Sequence, residues 1–238
     1  MTKLGDVVRK LRFFLGIALS LAMLGTLCVT AATAQNPADE GWVLKKDSDG
    51  LKIYNREKAG SDIKELLAIG TIDAAPARVF KVLGDYENFK DFMPYTEASH
   101  IIKTEQQGDK KLTWWFTLLD LPMVSDRYYT LVLTDGQEGD NFRSQWIMAK
   151  DMPPDPAWGD PSIAAYQGNR KEPVKTRENK GYWLLKPIDG GARTQANYYV
   201  YTDPGGSIPS WLANQANSIA IPELFKAVRE RVQDPRYN

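Results

Sequence analysis

"DPGGSIPSWLANQANSIAIPELFKAVRERV", residues 203–232, reads as a turn followed by one long helix. Its second half has Ile221, Leu224, Phe225, Val228 and Val232, the spacing of a buried helical stripe. Its first half carries Ala213, Asn214, Gln215, Ala216, Asn217, Ser218 and Ala220, where a packed helix would carry large apolar residues. Either that half is exposed at a sheet edge, or it covers an apolar wall without filling the space beneath. Pro222 removes one helical hydrogen bond at the junction of the halves and is expected to kink or loosen the helix there.

Working outward, the stretch before this helix reads as antiparallel strands. "DSDG" joins two short strands at about 42–46 and 51–57, and a third runs over 65–72. "DAAPARVFKVLGDYENFKDFMP" then predicts a helix with Asp73 as cap, Pro76 in the first turn and Gly84 as stop, and a second short helix over 86–92. Strands are expected at 96–106, 110–119, 127–134, 141–150, 174–187 and 192–202. Residues 151–172, rich in Pro, Gly and polar groups, read as a surface insertion. The fold class is therefore α+β, a curved antiparallel sheet wrapped around a long C-terminal helix.

The three central strands offer a Trp-rich wall. In "RYYTLVLT" alternation places Arg127, Tyr129, Leu131 and Leu133 on the face expected to be core. The preceding strand has Leu112, Trp114, Phe116 and Leu118 on one side, and the following one has Phe142, Ser144, Trp146 and Met148. An arginine starting a strand on the apolar side needs partners, because an unpaired buried charge is costly. Asp85 or Glu87 is one candidate, and the phosphate or carboxylate of a bound ligand is the other.

At the other end, residues 1–12 are basic, an apolar run spans 13–29, and Ala32-Thr33-Ala34 ends the segment. These are the three parts of a secretory signal, with cleavage expected after Ala34, and a retained membrane anchor is the competing reading. Residues 35–238 then form one domain. The chain has 30 basic and 30 acidic side chains, and removing a leader with four basic residues and one acid leaves a slightly acidic protein. No basic field marks it for nucleic acid. Cys28, the one cysteine, lies in the leader, so thiol and disulfide chemistry are not expected of the domain.

With the single histidine, His100, multi-histidine metal sites are excluded. There is no G-x-S-x-G, P-loop or G-x-G-x-x-G, and the carboxylates show no acid–base pairing. No catalytic residue, metal ligand or cofactor is assigned.

Four stretches resemble START domains, the lipid-transfer family related to steroidogenic acute regulatory protein. They are "PARVFKVLGDYENFKDFMP", "LDLPMVSDRYYTLVL", "GYWLLKP" and "DPGGSIPSWLANQANSIAIPELF", in the family order over about residues 40–235. The resemblance implies a helix-grip fold with a lipid-sized tunnel between sheet and last helix, entered between residues 119–125 and that helix. It departs at Arg127-Tyr128, where the family has Arg-Asp. The ligand contacts expected on this basis are Arg127, Trp114, Phe116, Trp146, Tyr198 and Ala216, with Leu121, Met123 and Pro222 as the gate. The expected function is to bind a lipid or similar amphipathic molecule and carry it between membranes. The expected carrier is a periplasmic or secreted monomer that touches membranes transiently. A helix-grip enzyme acting on a hydrophobic small molecule is the alternative, and a structural protein with a vestigial cavity is a third.

Overall fold

The computed structural model describes residues 37–238 apart from 123, 169 and 170 and the side chain of 217. The expected signal segment, its cleavage after Ala34 and Met123 lie outside the described residues. The strands are β1 (Val43–Ser48), β2 (Leu51–Lys58), β3 (Ser61–Ile72), β4 (Thr96–Gln107), β5 (Lys110–Leu119), β6 (Arg127–Glu138), β7 (Asn141–Met148), β8 (Val174–Lys175), β9 (Glu178–Ile188) and β10 (Arg193–Asp203). The α-helices are α1 (Pro76–Leu83) and α2 (Ser210–Arg231). All ten strands form one sheet, ordered β1-β2-β3-β10-β9-β7-β6-β5-β4, with β8 pairing parallel to β6. Its other ladders are antiparallel.

Local chemistry explains most element ends. The β1–β2 turn runs through Asp49 and Gly50, both at positive φ (54° and 67°), which "DSDG" supplies. Pro76 opens α1, and its end is closed by the Gly84 N–H on the Phe80 carbonyl and the Asp85 N–H on the Val82 carbonyl. Asp73 does not cap α1; the N-cap is Ala75, and Asp73 instead accepts from Arg193 Nε at 2.8 Å. The expected strand over 174–187 is interrupted at Thr176 and Arg177. Before the break the chain pairs with β6, and after it with β7 and β10.

The core lies between the sheet and α2. Ile221, Phe225, Val228 and Val232 are at most 3% exposed. The Phe225 ring packs 5.2 Å from Trp183. It also fits over Gly70 of β3, where any Cβ would meet the ring at 2.7 Å. That half of α2 is therefore seated in a notch cut for it.

A second apolar layer covers the outer face of β5 and β6. Phe116, Leu118 and Tyr128 pack there with Ile163, Trp158 and Tyr166, and Trp114 and Val132 pack with Ala149 and Met152. Trp114 Nε1 donates to the Met152 carbonyl at 2.6 Å, and the Trp158 N–H donates to the Tyr128 hydroxyl at 3.1 Å. Residues 149–166 are thus a cover over one side of the sheet, not a loose insertion.

Candidate ligand cavity

On the inner face, β5, β6, β7, β9 and β10 enclose a cavity of about 410 Å³ with the first half of α2, residues 119–124 and the turn around Tyr86–Phe89. Its walls are mostly apolar, with Trp115, Tyr129, Leu131, Leu133, Trp183 and Tyr198 prominent. Four of the lining residues, Pro122, Gln215, Ala216 and Ile219, are exposed, which puts the mouth between residues 119–124 and the start of α2.

The structure brings Arg127, Leu121, Trp146, Tyr198 and Ala216 to this cavity. Trp114 and Phe116 do not line it: they sit on the outer face beneath residues 149–166, and Trp115 takes the inner place. The cause is register. Trp115 stands opposite Leu131 and Thr117 opposite Tyr129, and directly paired residues share a face. Both faces of β5 carry large apolar groups because both are covered, so alternation alone could not choose between them. Pro222 is half-buried within a continuous α2 and does not line the cavity. Among the lining residues not anticipated are Trp115, Asn179 and Trp183. The pairing of β5 with β6 is the signal that would have found the first.

Arg127 is 3% exposed and is bound by carbonyl groups rather than by a carboxylate. Its Nε donates to Pro204 O at 3.0 Å, Nη2 to Gly205 O at 3.4 Å, and Nη1 to Asp126 O at 3.3 Å and to Ser125 O. Burial draws its pKa down, and the neighbouring Asp126 opposes this. Neither acid expected to pair with it does so. Asp85 accepts from Tyr237 at 2.5 Å and Asn88 at 2.7 Å, while Glu87 accepts from the Ile101 N–H at 2.7 Å and lies 3.3 Å from His100. Arg127 therefore ties the start of β6 to the turn that leads into α2.

Trp146 is held flat against the sheet. Its Nε1 donates to Asn179 Oδ1 at 2.8 Å, and Gly181 leaves room for the ring, since a Cβ there would stand 2.5 Å from it. Tyr198 lies across this wall, 4.6 Å from Trp183 and 5.9 Å from Trp146. At the inner end Tyr86 donates to both Asp135 oxygens at 3.0 Å and lies 3.2 Å from Ser144 Oγ. Burial raises the Asp135 pKa against the lowering effect of Ser144 and Tyr86, and burial with the Asp135 charge raises that of Tyr86. Eight residues separate Arg127 from Asp135 on β6, so these polar ends stand roughly 26 Å apart along the strand.

The first half of α2 is attached to the sheet by an amide. β3 stops pairing with β10 at Leu66. Just beyond, the Lys64 N–H donates to Asn214 Oδ1 at 2.9 Å and Asn214 Nδ2 donates to Asp62 O at 3.0 Å. Asn214 thus closes a stretch of sheet edge that β10 leaves open, which explains a polar residue at a helix position expected to be apolar. Near the other half, Tyr95, which borders the cavity, donates a hydrogen bond to the Glu223 carboxylate, and this raises the tyrosine's pKa. Among the described residues no group of three or more His, Cys, Asp or Glu could hold a metal ion, and no helix is long and apolar enough to cross a membrane.

A curved antiparallel sheet gripping a terminal helix over an apolar cavity is the helix-grip fold. The solved structure of a STAR-related lipid transfer protein from Xanthomonas axonopodis matches with a TM-score of 0.66 at 29% identity, over 82% of this chain and 99% of that one. An uncharacterized protein of Pseudomonas aeruginosa is 28% identical over 201 residues, 84% of this chain and 91% of its own length. Mouse phosphatidylcholine transfer protein is 25% identical over 208 residues, 85% of this chain and 90% of its own length. No protein-family model matches the chain. The shared fold and these likenesses support a START domain, the family whose motifs the sequence resembles.

Proposed function

We propose that this protein binds one lipid or similar amphipathic molecule in its cavity and carries it between membranes, without changing it chemically. The observation that carries this reading is the cavity itself. At about 410 Å³ it falls within the ~300–1,000 Å³ of small-molecule sites, and its walls are aromatic and aliphatic. Each acyl CH₂ costs about 0.8 kcal/mol in water, so a covered route between bilayers removes a large barrier. The relatives named for lipid transfer agree with it.

Leu121 and Met123, with the half-helix before Pro222, are the gate in this reading. Ligand enters when residues 119–124 and the start of α2 separate. Trp211 and Ile219, 66% and 52% exposed, stand beside that mouth and are suited to dip into a bilayer surface during a transient contact. The carrier works as an exported monomer, periplasmic or secreted after cleavage near Ala34, with no cofactor and no nucleic-acid partner.

Native mass spectrometry of the exported protein tests the binding half: a retained species of lipid mass is expected. Transfer of a pyrene-labelled lipid from donor to acceptor phosphatidylcholine vesicles tests the carrying half. An empty protein that neither takes up nor moves any lipid would sink the reading. Chemical turnover of the bound molecule would instead make it an enzyme.

A further inference from the structure

The two ends of the cavity satisfy their polar groups differently. At the inner end Tyr86 engages Asp135 and Ser144, and Asp135 itself does not line the space. Directly paired residues carry this level across the sheet, from Asp135 through Ser144 and Trp183 to Tyr198. Four residues along β9 and β10 from there, roughly 13 Å nearer the mouth, Asn179 stands directly opposite Thr202. Both line the cavity, and residues paired in this way have Cβ atoms about 4.5–5.5 Å apart on one face. Two residues beyond Thr202 the chain reaches Pro204 and turns toward α2.

The Asn179 amide can face only one way. An indole N–H donates and never accepts, so the atom 2.8 Å from Trp146 Nε1 is the amide oxygen, and Nδ2 is turned away from the ring. Asn179 is 7% exposed, yet among the described residues Nδ2 has no acceptor. It is not sealed in protein as Thr113 Oγ1 and Thr130 Oγ1 are, so it opens onto the cavity. The Thr202 hydroxyl has no partner among the described residues either. Leaving a buried amide donor unpaired is costly, and an acceptor on the cavity's occupant removes that cost.

The surroundings specify the acceptor. Arg127 lies on the same side, with its Nε on the Pro204 carbonyl. Its charge and the Nδ2 donors repel an ammonium group, and among the described residues no acid lines the cavity to offset this. Arg127 already holds backbone carbonyls, so a full anion would be buried without a dedicated partner. An uncharged carbonyl oxygen has lone pairs for both the amide and the hydroxyl and carries no such penalty. Between this level and the inner one the wall is apolar, with Val200, Trp146 and Leu133, and suits a hydrocarbon chain.

We propose that Asn179 Nδ2 and the Thr202 hydroxyl seat the ester carbonyl of the bound amphipath, so that its polar end stays near the mouth and its chain runs inward. This rests on the lipid-binding reading and adds to it a ligand class and an orientation. Trp146 is then a positioning residue, since its N–H decides which way the amide faces.

The test measures methyl laurate and dodecane binding to the wild type, Asn179→Asp and Thr202→Val. Asp keeps an acceptor for Trp146 and replaces only the donor, and Val removes only the hydroxyl. The ester-to-dodecane affinity ratio should fall about two- to tenfold in Thr202→Val and about tenfold or more in Asn179→Asp. The carbonyl stretch of the bound ester should lie below its value in hexane for the wild type and move back toward it in both variants. In crystals of the wild type with methyl 12-bromododecanoate, the bromine should lie near Tyr86 and the ester beside Asn179. Ligand-free Thr202→Val should melt as the wild type does, because no protein hydrogen bond is lost. If dodecane binds but the ratio and the stretch are the same in all three proteins, the seat falls and the lipid-binding reading stands. Bromine beside Asn179 would overturn the orientation, and a Thr202→Val that melts well below the wild type would make that hydroxyl structural and overturn the pairing. If the wild type binds neither compound, both proposals fall.

Discussion

The two halves of α2 face the same sheet and are held to it by different chemistry. After Ile221 the helix is anchored by shape: Phe225 and Val228 are fully buried, and Phe225 sits in the notch over Gly70. Before it, Ala213 is the one buried residue among the described side chains of 210–220, while Trp211 and Ile219 are exposed. That half is held by the Asn214 amide on β3 and, through the preceding turn, by Arg127. A packed apolar contact is lost only by opening a cavity or flooding it. Two amide hydrogen bonds at an edge can be exchanged for water at small net cost. The helix is therefore one element with a fixed end and a detachable end, and the detachable end covers the ligand space. Pro222 lies at the boundary, where its missing N–H leaves the Ser218 carbonyl without its helical donor.

Substitutions should separate the two ends, and the fixed end should show the largest effect. Phe225→Ala empties the notch over Gly70 and should cost about 3–5 kcal/mol in chemical denaturation. A small loss there would mean that the second half is no firmer than the first. Next, Arg127→Met strips the turn at 203–206 of its pin and leaves buried carbonyls unpaired, for an expected loss of about 1.5–3 kcal/mol. Amide exchange should accelerate over 204–216 before it does over 221–232. Uniform acceleration would erase the distinction.

Smaller again, Asn214→Ala should cost about 0.5–1.5 kcal/mol while speeding ligand entry and exit. Unchanged exchange rates would show that the strap on β3 does not restrain the mouth. Last, Ala216→Leu should leave stability nearly unaltered and lower lipid occupancy, because Ala216 borders the cavity and is exposed at its mouth. If the site were tightly packed, the extra bulk would instead cost about 1–3 kcal/mol. That outcome would extend the fixed end into the first half.

Much of this was legible in the residues. The stripe at 221–232 has unambiguous spacing, and the turn signals at 49–50 and 84 stand where the chain turns. Face assignment in β6 was readable because Arg127, Tyr129, Leu131 and Leu133 alternate with less apolar groups. In β5 it was not. Trp114 and Trp115 are adjacent, both faces are buried, and the deciding fact is the pairing with β6 across a seven-residue connection whose geometry no local rule sets. The partners of Arg127 were hidden for a related reason. Backbone carbonyls leave no mark in sequence, whereas a search for acids finds Asp85 and Glu87 at once. Asn214 looked like a gap in an apolar stripe, because its role depends on where β10 leaves β3, 150 residues away in the chain.

The seam between β3 and β10 bears on how the molecule is assembled. Contacts such as Tyr199 to Glu65 join residues 134 apart, and the Thr194 hydroxyl reaches the Ala74 carbonyl across 120. Bringing such distant segments together costs loop entropy before any contact is gained, and chains dominated by long-range pairing fold slowly. The hairpins β1–β2–β3 and β4–β5–β6–β7 can each form from neighbours in sequence, but the seam must wait for residues 193–203. Until then the tryptophan wall has no lid and faces water, and the first apolar partner to reach it is this chain's own last helix or a neighbouring unfolded chain. Refolding yield should fall with protein concentration for that reason, and an amphipath present during refolding should restore it.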